Sequence, residues 1–99
     1  MAATKKFGTD SKTGYPFTVG DCILIRTVTM YQLGRVAAIG VDSITLIEAC
    51  WVAEIGRLGE ALAGGELLEV EMSPGWLCVG RGAIVDIYPW LNPLPTKSK

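Results

Sequence analysis

Residues 31–52, YQLGRVAAIGVDSITLIEACWV, decide the fold of this 99-residue chain. The first part, residues 31–39, and the last part, residues 44–52, are rich in apolar and β-branched side chains, which pack well on a pleated surface. Residues 40–43, GVDS, have the composition of a turn, so the two runs are predicted to pair as an antiparallel hairpin. Gly34 inside the first run predicts a bend, a bulge or a close backbone approach.

Three further runs predict the remaining strands. Residues 19–29 supply the first strand in chain order, and they are apolar on both faces over residues 22–25, as expected where a strand is covered on both sides. Residues 67–72, LLEVEM, alternate in polarity and predict a half-exposed strand. A last strand region spans residues 76–88 and is interrupted by the Gly-Arg-Gly sequence at 80–82.

One short helix is predicted at residues 57–63, between the third and fourth strands. Leu58 and Ala61 fall on one side of such a helix, and Gly64 and Gly65 provide a C-terminal stop. Five short strands and one helix in this length suit a small barrel better than a sandwich.

The charged residues are divided unevenly along the chain. The formal charge is −1, but all five lysines lie in residues 1–14 and 93–99, and each of these segments carries +2. The remaining residues carry −5, from four arginines against nine carboxylates. We expect residues 15–92 to form an acidic barrel, with flexible arms at 1–14 and 93–99. Since an acidic body repels phosphate backbones, any contact with nucleic acid would concentrate at the arms or at a local arginine.

The composition excludes several classes of site. The chain has no histidine, which removes Ser-His-Asp and Cys-His catalytic systems and most zinc sites. Cys22, Cys50 and Cys78 lie in apolar, strand-like contexts without a CxxC pair, so we expect small buried hydrophobes in a reducing cytoplasm. No secretory signal or membrane-spanning run is visible. We therefore expect no catalytic residue, no enzyme activity, no cofactor, no metal and no membrane partner.

The apolar side chains exceed what one small barrel can bury. Beyond the aliphatic positions the chain offers Trp51, Trp76, Trp90, Tyr31 and Tyr88. Such an excess indicates a subunit interface. Trp76 and Trp90 have two open interpretations, base stacking and packing in a core or interface, and we favour packing.

Two segments resemble the two sequence motifs of the Sm/LSm family. Residues 34–46, GRVAAIGVDSITL, are similar to the first motif, in which a strand glycine precedes an apolar residue, a turn with Asp and an apolar strand. Residues 79–88, VGRGAIVDIY, are similar to the second motif, in which Arg-Gly is followed by apolar positions, here Val85 and Tyr88. In size and divergence the chain looks like Sm-like proteins of phage or environmental origin, a group without an assigned role.

The resemblance implies a strongly bent, five-stranded, SH3-like barrel that assembles into a ring, with the fourth strand of one subunit paired to the fifth of its neighbour. It also implies a cytoplasmic location in a bacterial or phage-infected cell. Family rings bind single-stranded RNA near the pore, and Arg81 and Gly82 occupy the positions of the family's Arg-Gly pair. The turn at residues 40–43 lacks the family's aromatic residue, and Ile44 or its neighbour replaces the family's Asn. We therefore expect a homo-oligomeric, ring-forming structural or interaction module; a ring that binds single-stranded RNA or DNA through Arg81 and Gly82 is the alternative.

Each polar candidate site has two interpretations. Arg81 either presents its cation and the neighbouring N–H groups to a phosphate, or belongs to a tight turn as a solvated or intersubunit salt-bridging arginine. Glu69 and Glu71 are predicted to share a strand face, and Asp42 and Glu48 lie nearby in the sequence. Such carboxylates can do acid–base chemistry or bind a hard cation, but we favour a solvated face that discourages edge aggregation.

Overall fold

The computed structural model describes residues 12–99, which form an antiparallel sheet with one short helix. In chain order the elements are β1 (Cys22–Thr27), β2 (Tyr31–Ile39), β3 (Ser43–Glu54), α1 (Leu58–Gly64), β4 (Glu69–Met72), β5 (Leu77–Gly80), a 3₁₀ turn (Arg81–Ala83) and β6 (Ile84–Pro89). The strands follow the order β4-β3-β2-β1-β6, and β5 also pairs with β3. Most of the arm expected at residues 1–14 lies outside the described residues.

The structure has six strands where five were expected. The 3₁₀ turn at Arg81–Ala83 divides the predicted strand region 76–88 into β5, which pairs with β3, and β6, which pairs with β1. Within residues 12–99 no ladder of hydrogen bonds joins β6 to β4 or β5, so the sheet stays open instead of closing into the expected barrel.

The sheet is irregular where Gly34 was expected to allow a bend or a bulge, and this expectation is confirmed. The register of the β2–β3 ladder shifts beside Gly34, since Leu33 lies opposite Cys50 but Arg35 lies opposite Ile47. Strand β3 therefore has one extra residue in this stretch, where Glu48 has a φ of 50°. A Cβ on Gly34 would lie 3.0 Å from both the Ile47 carbonyl oxygen and the Leu46 Cβ. The position therefore excludes a side chain by close packing of neighbouring strands.

Buried side chains form one cluster on each face of the sheet. Cys22 and Leu24 of β1 belong to one cluster and Ile23 and Ile25 to the other, as strand alternation requires and as the doubly apolar run 22–25 predicted. The helix-side cluster consists of Cys22, Leu24, Leu33, Cys50, Val52, Ile55, Ala61, Leu67, Val70 and Trp90. The strand-side cluster consists of Phe17, Ile23, Ile25, Val36, Ile44, Leu46, Ala49, Leu77 and Val79.

Helix α1 covers the helix-side cluster and spans nearly the predicted residues. Ala61 is its buried residue, and the backbone N–H of Gly65 donates to the Ala61 carbonyl to end the helix. Gly65 has a φ of 77°, and a Cβ there would lie 2.7 Å from the Cβ of Asn92. The Asn92 side-chain amide also donates to the Leu62 carbonyl at 2.8 Å. The predicted glycine stop is thus confirmed, and it has a packing reason as well as a conformational one.

Two predicted strands are shorter than expected. The first covers only Cys22–Thr27, and Val19 and Val28 on either side are exposed. The alternation expected over residues 67–72 fails at Leu68, which is exposed outside β4 while Leu67 before it is buried. Apolar residues at strand ends had extended both predictions into loops.

Candidate functional site: two strand edges, two grooves and the Arg81 turn

Strand β6 forms one outer edge of the sheet. It pairs with β1, and no other strand of residues 12–99 pairs with it. A groove of about 570 Å³ runs beside it, and its mainly apolar lining includes Tyr15, Phe17, Ile23, Ile84, Val85 and Ile87. The side chain of Val85 is 50% exposed. An uncovered strand beside an apolar groove is a surface that a further strand can cover.

An ion pair holds β6 in register against β1. The Arg26 guanidinium donates from Nε to Asp86 Oδ1 at 2.9 Å and from Nη2 to Asp86 Oδ2 at 2.6 Å. The Tyr88 hydroxyl donates to the same carboxylate at 2.9 Å. The hydrogen bonds from Arg26 hold the pKa of Asp86 below its ordinary value, and the bond to Asp86 raises the pKa of Tyr88. This bidentate ion pair between Arg26 and Asp86 orients the edge strand β6 and also neutralises the two charges.

The opposite edge of the sheet is built from β4 and β5, which lie end to end along β3. Beside β4, the Val70 N–H donates to the Lys99 carbonyl at 2.9 Å and the Lys99 N–H donates to the Val70 carbonyl at 3.0 Å. The Met72 N–H donates to the Ser98 hydroxyl at 2.9 Å. Part of the segment 93–99, expected as a flexible arm, thus bonds along β4, which leaves β5 as the uncovered strand at this edge of the described chain.

Arg81 lies against the turn between β2 and β3. Its backbone N–H donates to the Asp42 carbonyl at 2.7 Å, and its Nη1 donates to the Val41 carbonyl at 3.1 Å. The guanidinium carbon lies 5.2 Å from the centroid of the Tyr15 ring. Gly82 is exposed with open space around its Cα. The structure therefore places Arg81 and Gly82 next to the turn at 40–43. One guanidinium nitrogen of Arg81 is already used in a hydrogen bond to the backbone of that turn.

The two tryptophans singled out by the sequence have opposite environments. Trp90 is 1% exposed in the helix-side cluster, and its indole N–H donates to the Pro93 carbonyl at 3.3 Å. Core packing is thus confirmed for Trp90. Trp76, directly before β5, is 72% exposed and packs in neither cluster.

The expectation of three buried cysteines holds for Cys22 and Cys50 and is wrong for Cys78, which is exposed. Successive side chains of a strand point to opposite faces. Leu77 and Val79 occupy the strand-side cluster, so Cys78 between them points outward. The apolar context of the sequence did not distinguish a doubly covered strand from an edge strand.

The environments of Cys78 and Cys50 move their thiol pKa values in opposite directions. Hydrogen bonds from Ser43 and Thr45 lower the pKa of Cys78, and the Thr45 hydroxyl lies 3.6 Å from the Cys78 sulfur. Burial raises the pKa of Cys50 to about 11. The thiolate therefore forms more readily at Cys78 than at Cys50.

The candidate carboxylates do not converge. Glu69 and Glu71 are exposed on β4, and Glu69 lies opposite Glu54 in the β3–β4 ladder. Glu48 instead forms an ion pair with Arg35, whose Nε lies 2.7 Å from Glu48 Oε2. No group of three His, Cys, Asp or Glu side chains within residues 12–99 is placed to hold a metal ion.

A second groove, of about 820 Å³, contains a polar group that the sequence analysis missed. Gln32 lines it and is only 9% exposed, and its Oε1 atom has no hydrogen-bond partner among the described residues. Buried side-chain acceptors without a partner are uncommon in folded proteins. A lone Gln in a strand with other polar residues is typical of a solvent-facing position, so the sequence carried no signal for this site.

No protein-family model matches the sequence, and no curated protein is detectably similar to it. Within residues 12–99, no helix is long and apolar enough to cross a membrane. The strand edges, the two grooves and the Arg81 turn are therefore the observations from which a function can be argued.

Proposed function

We propose that this chain is a subunit of a homo-oligomeric Sm-like ring that acts as a structural or interaction module and not as an enzyme. The open sheet is the observation that carries the proposal: within residues 12–99, β6 at one edge and β5 at the other each have a side that no strand covers. When β5 of one subunit pairs with β6 of the next, both sets of backbone groups gain partners. Because the two edges differ, the contact is head-to-tail, and successive contacts form a ring when the rotation between neighbouring subunits closes.

The strand order supports the same proposal. Strands β4 and β5 follow one another along the same edge of β3, separated by the turn at residues 73–76. Counted as two halves of one interrupted strand, they leave five strands in the order 4-3-2-1-5. That order has the fourth and fifth strands at opposite edges, where the proposed ring needs them.

The apolar groove beside β6 supplies the driving force for assembly. Val85 and Leu91 are both about half exposed there, beside the buried Phe17. Covering apolar surface contributes roughly 25 cal/mol per Å² removed from water. Strand pairing sets the register of the proposed contact, and the groove adds the non-directional stabilisation.

Light scattering coupled to size-exclusion chromatography tests the ring. We expect the full chain to elute as one discrete oligomer, and Val85→Lys to shift it toward monomer by placing a charge in the groove. Val19→Lys is the matched control, since Val19 is similarly exposed but lies outside this groove. A wild-type chain that remains monomeric at tens of micromolar would overturn the proposal.

The alternative function is a ring that binds single-stranded RNA or DNA through Arg81 and Gly82. The observation that favours it is the contact between Arg81 and the turn at residues 40–43, which gathers the two segments that carry the resemblance. The acidic charge of residues 15–92 opposes it.

Fluorescence anisotropy with U-rich and A-rich oligonucleotides separates the two functions. The nucleic-acid function requires an affinity that falls as salt is raised and that Arg81→Ala reduces. Arg57→Ala is the control, because Arg57 is an exposed arginine just before α1. We expect no binding at low salt; salt-dependent binding lost only in Arg81→Ala would establish the alternative.

A further inference from the structure

The groove of about 820 Å³ lies between two turns on the strand-side face of the sheet. Thr27 and Val28 at the β1–β2 turn line one side, and Pro74 and Trp76 at the β4–β5 turn line the other. Trp51 of β3 also contributes to its lining. A concave site of this volume is the size of those that hold small organic ligands.

The buried acceptor in this groove is Gln32 Oε1. Gln32 lies opposite Ile25 of β1 and Trp51 of β3, so strands flank it on both sides. The residue is nine-tenths buried, and no donor of the described chain reaches its Oε1 atom. Leaving such an acceptor unpaired costs free energy in the folded state. The Oε1 atom itself is shielded from solvent, so the Gln32 amide must turn toward the groove to accept an N–H or O–H from a ligand, and that bond would remove the cost.

The remaining lining defines what else the ligand must be. The hydroxyl of Thr27 already donates to the Met30 carbonyl at 2.8 Å, and that of Ser73 donates to the Gly75 carbonyl at 3.0 Å. Among residues 12–99, no Asp, Glu, Lys or Arg lines the groove. A charged ligand would therefore lose hydration without gaining a charged partner.

We propose that this groove binds an uncharged, flat aromatic molecule that donates one N–H or O–H hydrogen bond to Gln32 Oε1. Trp51 and Trp76 supply indole surface for the ring of the ligand, and Leu77 and Val79 supply aliphatic contact. Aromatic faces and edges reward a flat aromatic partner beyond simple burial. The proposal also gives a role to Trp76, which is 72% exposed and belongs to neither buried cluster of the described residues.

This groove is separate from the groove beside β6, but it borders β5, the strand proposed to pair with β6 of a neighbouring subunit. The two grooves share no lining residue. Val85 is not among the residues that line the Gln32 groove. We therefore expect Val85→Lys, designed to block assembly, to bind the same ligand class as the wild type.

The experiment is an NMR titration of the ¹⁵N-labelled full chain with indole and with 1-methylindole. The two probes have the same flat apolar body, but only indole has an N–H. We expect both to shift amide signals of the two turns that flank the groove, and indole to bind about 3- to 10-fold more tightly, the ratio that one net hydrogen bond supplies. Equal affinities, no binding of either probe, or shifts centred on β6 would each overturn the proposal.

Two variants make the assignment residue-specific. Gln32→Leu should bring the affinity for indole down to that for 1-methylindole, because the acceptor is gone and the apolar lining remains. Trp76→Ala should weaken both probes by a similar factor, and Val19→Lys should change neither. If Gln32→Leu does not fold, the wild-type comparison of the two probes and Trp76→Ala still decide, and an undiminished preference for indole in a folded Gln32→Leu chain contradicts the role of Gln32.

Discussion

The buried clusters on the two faces of the sheet are covered by different elements. The helix-side face is closed by α1 and Trp90, which bury its cluster. The strand-side face is closed only by β5 and the segment around Phe17, and both grooves and the Arg81 turn border it. Trp90 and Cys50 are buried in the helix-side cluster and Gly65 ends the helix, and each has an exposed counterpart on or beside β5: Trp76, Cys78 and Gly82. Both clusters are well buried, so the difference is one of access: residues beside α1 are enclosed, whereas residues on and beside β5 are available for binding.

We expect the largest difference in the free energy of unfolding between substitutions of Trp90 and Trp76. We expect Trp90→Ala to lower the free energy of unfolding by about 3–5 kcal/mol, since it removes a fully buried indole. Trp76→Ala should change it by no more than about 0.5 kcal/mol, because the side chain is exposed. Urea unfolding followed by circular dichroism measures both, and equal losses would break the comparison.

Substitutions of Gly65 and Gly82 should show the next largest difference in the free energy of unfolding. Gly65→Ala places a side chain at a positive φ and against Asn92, so we expect a loss of about 1–3 kcal/mol. Gly82→Ala meets open space at an ordinary backbone conformation and should cost at most about 0.5 kcal/mol. The same urea experiment applies, and a Gly82 variant as unstable as the Gly65 variant would mean that the 3₁₀ turn is held as tightly as the helix end.

Cys78 and Cys50 should differ in the rate at which their thiols react. In the folded protein, Cys78 should be alkylated by iodoacetamide, and its rate should rise at a lower pH than for an ordinary thiol because its pKa is lowered. Cys50 should react only after denaturation, because it is buried and its pKa is raised to about 11. Peptide mass spectrometry after timed quenching assigns the sites; modification of Cys50 at the rate of Cys78 in native buffer would contradict the burial of the helix side.

The smallest effect concerns the exposed ion pair that holds β6. The pKa of Asp86 is lower in the folded state than its ordinary value of 3.8, so its contribution to stability is full above that value and is lost as pH falls through the folded pKa. Wild type should therefore exceed Asp86→Asn in stability near neutral pH, and the gap should narrow on acidification below about pH 4. Glu60→Gln is the control, because its pair with Arg57 is long and exposed; a gap that widens in acid would refute the assignment.

The sequence predicted the elements whose signals are local. The run from Tyr31 to Ile39, the glycine bend at Gly34 and the glycine stop at Gly65 were all recognisable, because each depends on a side chain's own size or conformational freedom. The short helix was found for the same reason, within one residue of its observed bounds.

The features that the sequence did not predict depend on which strands become neighbours. Cys78 is exposed because nothing buries the face of β5 opposite Leu77 and Val79 in the described chain, and Trp76 is exposed in the turn before β5. The buried amide of Gln32 likewise depends on the strands on both sides of it. Arg81 was recognised as a candidate, but its bond to the Val41 carbonyl could not be read from residues forty positions apart.

The β2–β3 hairpin, which contains the shifted register beside Gly34, also affects the order of folding events. The β2–β3 ladder joins strands separated by a single short turn, whereas the β1–β6 ladder must bring Arg26 and Asp86 together across sixty residues. Closing a short loop loses less chain entropy, so the hairpin with its extra residue should form before the edge that β6 supplies. Substitutions in the hairpin, such as Ile44→Val, should then slow folding, whereas Ile87→Val should mainly speed unfolding in stopped-flow experiments. On this order of events, the surface proposed to meet a neighbouring subunit is the last to be completed.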